Sequence, residues 1–285
     1  MTSRAGRALT LDDRGRVNAA MRAWATPLSE STFPNLYLFR EVHAYRLVET
    51  PGLPHVTGAA YDGEAIVIPL FDLAAADAGE VRALLGDGRR LYPVPEHRAA
   101  ALADRYAASW NEADSDYVYD AARMGALDGL KSRRRQADRF EAAAAPAVIP
   151  IASAAETAMA AGVLDRWLAD VAKPWAATDY AACREALELR EALGLFGLLV
   201  LAQGAPGGFV LASEVAPDMA AIHFAKGLRS LDGVFPFLFR QFARRYPQYA
   251  LINFEQDLGH AGFRQAKRSY APVRLQRKFR LRPLG

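Results

Sequence analysis

The sequence predicts an α/β (α+β) protein of two tandem domains, each a mixed central sheet flanked by helices. Three observations predict it. Short runs rich in β-branched and aromatic residues alternate with stretches whose apolar residues recur at helical spacing. A small-residue tract with two prolines, 142–150 (A-A-A-A-P-A-V-I-P), divides the chain into a first domain, 1–145, and a second, 146–285. The second domain also yields a regular succession of elements, whereas no visible repeat of sequence links it to the first.

In the first domain, residues 33–40 and 65–71 read as strands. Residues 96–110 predict one amphipathic helix, with Leu102, Ala103, Tyr106 and Trp110 on a common face. Residues 116–119 predict a strand, and 130–141 (L-K-S-R-R-R-Q-A-D-R-F-E) a basic helix. This set is compatible with a degenerate copy of the second domain.

The second domain opens with a β-rich run, 147–151. Ser153 and Glu156 make a capping box for a helix whose apolar face carries Met159, Val163, Leu164, Trp167, Leu168 and Val171. Pro174 lies past its end, and Thr178 caps a second helix reaching about Leu193. Strands follow at 195–202, 208–213 and 219–225, with turn residues at 204–208 and at Pro217-Asp218. After Gly233 comes a helix with Phe235, Leu238, Phe242 and Tyr246 on one face. A strand at 249–254, a short helix at 259–267 and a strand at 273–281 complete the chain. That last strand alternates, with Val273, Leu275, Phe279 and Leu281 on one face and Arg274, Gln276, Lys278 and Arg280 on the other. The order β-α-α-β-β-β-α-β-α-β resembles that of the GNAT acyltransferase fold, so the expectation is two tandem GNAT-like acyltransferase domains.

Composition narrows the function. One cysteine, Cys183, excludes an internal disulfide framework and a multi-cysteine zinc site, and the five histidines lack ligand spacing, so no metal site is expected. His223, inside a strand, reads as a satisfied core residue and Cys183 as a buried inert thiol. Residues 1–16 have no apolar core and the longest strongly apolar run, 193–202, is about half of the ~20 residues a membrane helix needs. The expectation is a cytoplasmic protein without a transmembrane segment, with peripheral membrane contact left open. The net charge of +3 hides an asymmetry: residues 226–285 hold 13 Lys/Arg against 3 Asp/Glu, so the remainder of the chain is acidic. A basic end suits an anionic partner such as RNA, a phosphate-bearing donor or acidic lipid, or else is a solvated face.

The stretch 253–270, N-F-E-Q-D-L-G-H-A-G-F-R-Q-A-K-R-S-Y, is the densest mixture of polar groups in the chain. Together with S-T-F-P-N-L-Y-L-F-R (31–40), D-Y-V-Y-D (116–120) and the following Ala271-Pro272, it resembles the C-terminal catalytic domain of phosphatidylglycerol lysyltransferases and its free-standing relatives. The resemblance covers nearly the whole chain. It implies a tandem GNAT-like transferase that takes an aminoacyl group from charged tRNA. Arg135-Gln136 and Ala225-Lys226-Gly227 depart from the usual pattern, which bears on the acceptor rather than the fold.

Acyl transfer to an amine must deprotonate the amine, hold the oxyanion and protonate the leaving group. Glu255 and Asp257, at i and i+2, share a face if extended; either acts as base, or both hold Arg264 or Lys267 in ion pairs. Tyr270 either protonates the leaving atom or fills the core. Arg264 and Lys267 share a helix face that suits a phosphate. Lys226 and Arg229 follow the third strand, at the donor position, and Asn253, His260 and Ser269 complete the candidate binding set. GNAT enzymes that use coenzyme A carry R/Q-x-x-G-x-G/A there; here Asp232 takes the first glycine position, where its carboxylate repels a pyrophosphate. The expected donor is therefore aminoacyl-tRNA, with acyl-CoA the alternative and no bound cofactor. The expected acceptor is an amine or hydroxyl of a small molecule, peptide or lipid, and the helix 131–139 is placed to guide the tRNA backbone. A non-catalytic module that binds RNA or an anionic membrane is the third reading.

Overall fold

The computed structural model of the chain describes residues 6–23 and 27–284; the stretch examined for a leader, 1–16, lies partly outside them. The strands are β1 Arg46–Val48, β2 His55–Ala59, β3 Ala65–Pro69, β4 Arg90–Pro95, β5 Tyr106–Trp110, β6 Asp116–Asp120, β7 Ala147–Pro150, β8 Phe196–Ala202, β9 Ala205–Ala216, β10 Met219–Gly227, β11 Leu251–Asn253, β12 Arg274–Gln276 and β13 Lys278–Pro283. They form two mixed sheets, β1-β2-β3-β4-β13-β5 and β12-β6-β11-β10-β9-β8-β7. The chain divides into two compact units: Met1–Asp116 with Gln256–Phe263 and Leu275–Gly285, and Tyr117–Glu255 with Arg264–Arg274.

In the first unit the six-stranded sheet packs a core that includes Val67, Val81, Leu91, Val94 and Leu281, all fully or nearly fully buried. Removing each such side chain from water contributes roughly 1.5–3 kcal/mol. Two predicted elements differ. Residues 33–40 hold a helix, Phe33–Leu38, rather than a strand, because Thr32 caps it by accepting from the Asn35 N–H and Pro34 sits in the first turn, where no N–H is needed. The helix predicted over 96–110 stops at Ala101, and Tyr106–Trp110 instead pairs antiparallel with β13, Trp110 opposite Phe279. That stretch carries both periodicities, and the hydrogen bonds to β13 decide between them.

β13 alternates as predicted, but its charged face is inside. Lys278 is fully buried. Its ammonium meets the carboxylates of Glu30 and Asp116 and donates to Ser29 Oγ at 3.1 Å and Gln256 Oε1 at 3.0 Å. Ser29 donates to Asp116 from both N–H and Oγ at 2.9 Å. Arg280, two residues on, pairs with Asp114, Asp62 and Glu64 and lies over the Tyr92 ring. Burial pulls the Lys278 ammonium down, but Asp116 and Glu30 outweigh it and leave it raised. Burial pushes the Glu30 carboxyl up to about 6, with Lys278 opposing.

The predicted order holds from β7 through the helix Ala261–Arg268, with Gln256–Phe263 belonging to the first unit and Arg264–Arg274 again to the second. The Ser153 capping box forms on the helix Ala154–Val171. Its buried face is Ala160, Val163 and Leu164, while Met159 is exposed. The second helix breaks at Leu189 into Tyr180–Glu188 and Arg190–Leu193. β8 and β9 turn at Gln203-Gly204, both at positive φ. The helix Val234–Arg245 is apolar on nearly every side, and its one buried cation, Arg240, pairs with Asp138 and Glu141. The strand predicted over 273–281 is two: β12 joins the edge of the seven-stranded sheet, and β13 the other sheet.

Candidate active site

The parallel pair β10 and β11 is short. Met219, Ala220 and Ala221 pair with Leu251, Ile252 and Asn253, after which β11 ends while β10 runs on to Gly227. The sheet therefore opens between them just beyond Ala221 and Asn253. At the opening, β10 has a register shift between Ile222 and Phe224 against β9, which makes His223 the extra residue of a bulge. Bulges re-aim side chains. His223 Nε2 lies 2.7 Å from Ser213 Oγ of β9, and Nδ1 lies 2.8 Å from Glu255 Oε1. Ser213, His223 and Glu255 form a continuous chain. The imidazole is wholly enclosed, Ser213 is buried, and the Glu255 side chain is 18% exposed, so Glu255 is the end of the chain that reaches solvent.

Glu255 is not in an extended strand. Its φ is +59°, a left-handed conformation costly for a residue with a Cβ. Two bonds hold it: its N–H donates to Asn253 Oδ1 at 2.6 Å, and its carbonyl accepts from the Tyr117 N–H at 3.2 Å. Asn253, fully buried, thus acts on the Glu255 backbone. Lys267 Nζ donates to the Phe254 carbonyl at 2.6 Å, and Tyr119 Oη donates to the Lys267 carbonyl. Beneath this segment Tyr270 packs in a ring cluster with Phe239, Phe254 and Tyr119. Its phenol is pushed well up by burial, against the opposing Arg133 guanidinium. Arg133 stacks on the Tyr270 ring at 4.9 Å and donates to Ser269 Oγ.

Asp257 does not share a strand face with Glu255, because the strand has ended. It is buried, and its Oδ1 accepts from the Gly259 N–H at 2.8 Å, shaping the turn. His260 is exposed, its ring 5.5 Å from that of Phe263. Arg264, half-buried, lies on the helix Ala261–Arg268. Lys226 is buried: its ammonium donates to both Asp179 oxygens at 2.7 and 2.8 Å and sits 3.8 Å from the centre of the Trp167 ring. Cys183 is buried, and burial pushes its thiol up.

In the loop 228–233, between β10 and the helix Val234–Arg245, half of the N–H groups are engaged, as is that of the first helix residue. Leu228 donates to the Gly207 carbonyl, Arg229 to Asp170 Oδ2, Leu231 to the Leu228 carbonyl and Val234 to the Leu231 carbonyl. Gly233, at φ +88°, backs directly onto the helix Lys131–Ala144; a Cβ there would stand 2.2 Å from the Gln136 carbonyl oxygen. The exposed Asp232 carboxylate faces Arg139 at 3.5 Å. That basic helix also presents exposed Lys131, Arg134 and Arg135. No group of three or more His, Cys, Asp or Glu among the described residues could hold a metal ion, and no described helix is long and apolar enough to cross a membrane.

A seven-stranded mixed sheet whose central parallel pair opens beside an acid is the architecture of GNAT-like acyltransferases. The fold recurs in a tandem GNAT protein from the clavulanic acid biosynthesis pathway, with a TM-score of 0.51, 15% identity and coverage of 98% of this chain and 97% of that one. A conserved protein of unknown function from Bacteroides thetaiotaomicron is more similar, at a TM-score of 0.83 and 23% identity over 98% of this chain and 99% of that one. L-PGS from Bacillus licheniformis matches at 0.63 and 13% identity over 98% and 93%. No curated protein matches the sequence. The chain belongs to the phosphatidylglycerol lysyltransferase C-terminal family, whose family model matches residues 23–282. It is thus a GNAT-like acyltransferase related to the C-terminal domains of lysylphosphatidylglycerol synthetases.

Of these residues the sequence points to Glu255 and Asn253 and not to Ser213; His223 is buried with both ring nitrogens partnered, a satisfied core residue that also lies in this line. Ser213 and His223 are each the first polar residue after an apolar run in their strands, V-L-A-S and A-I-H-F. Two such interruptions in neighbouring strands were the available signal; their register was not.

Proposed function

We propose that the chain transfers an aminoacyl group from aminoacyl-tRNA to an amine or hydroxyl of a small molecule, peptide or lipid. The observation that carries this choice of donor is the loop after β10. A pyrophosphate cradle needs unengaged backbone N–H groups and no nearby anion. Here three of the loop's six N–H groups, those of Leu228, Arg229 and Leu231, and that of Val234 at the helix start already have acceptors, and Asp232 adds a carboxylate. The tRNA ester needs no such cradle, and the exposed cations Lys131, Arg134 and Arg135 on the helix Lys131–Ala144 suit its phosphates. Such a donor is met in the cytoplasm, which is where this reading puts the protein.

In the reaction Glu255, at the solvent-reaching end of its hydrogen-bonded chain, takes a proton from the acceptor amine or hydroxyl. The freed nucleophile attacks the ester carbon, the bond to the tRNA ribose oxygen breaks, and that oxygen leaves with the proton Glu255 took up, which restores the carboxylate. Asn253 and Lys267 hold the Phe254–Glu255 backbone, Tyr270 walls the segment from below, and Lys226 with Asp179 fixes the end of β10. Calorimetric titration with coenzyme A and acetyl-CoA at near-physiological salt tests the donor, followed by turnover with a panel of charged tRNAs. No CoA binding with turnover of a charged tRNA is expected. Saturable micromolar CoA binding would make the enzyme an acyl-CoA-dependent N-acyltransferase instead.

A further inference from the structure

The Ser213–His223–Glu255 chain has the connectivity of a hydrolase triad, with hydroxyl to Nε2 at 2.7 Å and Nδ1 to carboxylate at 2.8 Å. Its burial runs the other way. In a nucleophilic triad the serine meets the substrate and the acid is the enclosed end. Here Ser213 is 3% exposed and the Glu255 side chain 18%. We propose that the triad works in reverse: Ser213 and His223 are positioning residues that lock the Glu255 carboxylate, and Ser213 is not a nucleophile. This rests on the reading of Glu255 as the base.

The hydrogen-bond chemistry sets the proton positions. An ionised carboxylate only accepts, so Nδ1 must carry the hydrogen that points at Glu255 Oε1. In the neutral ring Nε2 is then bare and accepts the Ser213 hydroxyl proton. The imidazole is thereby held at both nitrogens, and the carboxylate is fixed through Oε1. Pinning matters because Glu255 follows a strand end and stands in a left-handed backbone conformation that two further bonds maintain. A base free to rotate there would lose the hydrogen-bond geometry that proton abstraction requires.

Three measurements test this on the full-length protein. The first is the tautomer of His223, from two-bond proton–nitrogen spectra of histidine-labelled protein at neutral pH, with His223→Asn for assignment. A fixed Nδ1–H tautomer is expected, becoming mixed in Ser213→Ala; an Nε2–H ring, or one exchanging freely in the wild type, overturns the proposal. The second is incubation with a fluorophosphonate probe. No adduct at Ser213 is expected, and a stoichiometric adduct there makes Ser213 a nucleophile and overturns it. The third is turnover with the charged tRNA identified above: Ser213→Ala should lose about tenfold and His223→Leu about a hundredfold or more in kcat, with KM little changed. His223→Asn, whose amide can stand in for Nδ1–H, should recover part of that loss. Turnover lost in Glu255→Gln but unchanged in Ser213→Ala and His223→Leu overturns the positioning role alone. Unchanged turnover in Glu255→Gln removes the function assigned to Glu255 itself.

Discussion

Replacing Lys278 by Met should destabilise the first unit strongly, and by an amount that depends on pH. The ammonium is fully buried against two buried carboxylates, Glu30 and Asp116. At an effective dielectric of about 20 and a separation of about 3–4 Å, each contact represents roughly 4–5 kcal/mol of gross attraction. Burying the ammonium offsets much of that, so the net figure is what truncating a buried pair costs, about 3–5 kcal/mol. Met fills a similar volume, so nearly all of the loss arises from carboxylates left without a cation. Protonation of Glu30, whose carboxyl burial raises to about 6, relieves part of this, and the deficit should therefore shrink on acidification from pH 7 to 5. The wild type already leans this way. The Glu30 carboxyl is raised from 4.5 to about 6 by burial, so the folded state holds its proton more tightly. The stability Glu30 contributes is present below pH 4.5 and lost as pH rises through 6, a swing of about 2 kcal/mol. Urea denaturation followed by circular dichroism at pH 7 and 5 measures both effects. The triple variant Lys278→Met, Glu30→Gln, Asp116→Asn should recover most of the stability at pH 7. A Lys278→Met deficit below about 1 kcal/mol, or one equally large at pH 5, would refute this account of the cluster.

Three further outcomes follow from the second unit. Glu255→Gln should lower kcat by about 10²–10⁴ while leaving the circular dichroism spectrum unchanged, since a neutral amide keeps the shape and loses the base. Gly233→Ala should cost about 2–4 kcal/mol in urea denaturation, because φ is +88° and the new methyl would meet the Gln136 carbonyl oxygen at 2.2 Å. Binding of tRNA should weaken steeply with salt, and Arg135→Ala, at an exposed cation of the helix Lys131–Ala144, should reduce the log–log slope by about 0.7–1; an unchanged slope takes Arg135 out of the RNA contact.

The order of elements in the second domain was legible because each carried a local signal. The Ser153 capping box, the turn residues at 204–208 and at Pro217-Asp218, and the continuous apolar run of β8 are all short-range features, although the turn itself falls at Gln203-Gly204 and β9 begins at Ala205. The two misread elements lacked that clarity. Residues 33–40 are apolar enough for a strand, and the decision falls to Thr32 and Pro34 at the start of a short helix. Tyr106–Trp110 fits a helix and a strand equally, and β13, some 170 residues later, selects the strand. Long-range pairing also explains the final strand. Its alternation was plain, but nothing in R-L-Q-R-K-F-R-L-R tells that the chain changes sheet within it, or that Lys278 and Arg280 lie inward among acids from 30, 62, 64, 114 and 116.

The candidate site divides in the same way. Asn253 and Glu255 stood out by density of polar groups, and their tie is local: an i to i+2 bond from backbone to side chain. Asp257 stood out equally, yet its carboxylate serves the same kind of local bond at Gly259 and nothing in the spacing separates the two. What separates them is a third strand. Glu255 reaches His223 because β10 bulges just beyond the point where β11 stops, and His223, unpaired in the bulge, reaches Ser213, which pairs with Ala221. A bulge depends on which residues two strands pair, and pairing is set by the whole sheet. The polar interruptions of β9 and β10 are therefore visible one at a time in the sequence, while the line they make is a property of the fold. The same holds for Lys226. A lysine ending an apolar strand reads as a donor ligand, and only the fold shows that Asp179 and Trp167 surround its ammonium.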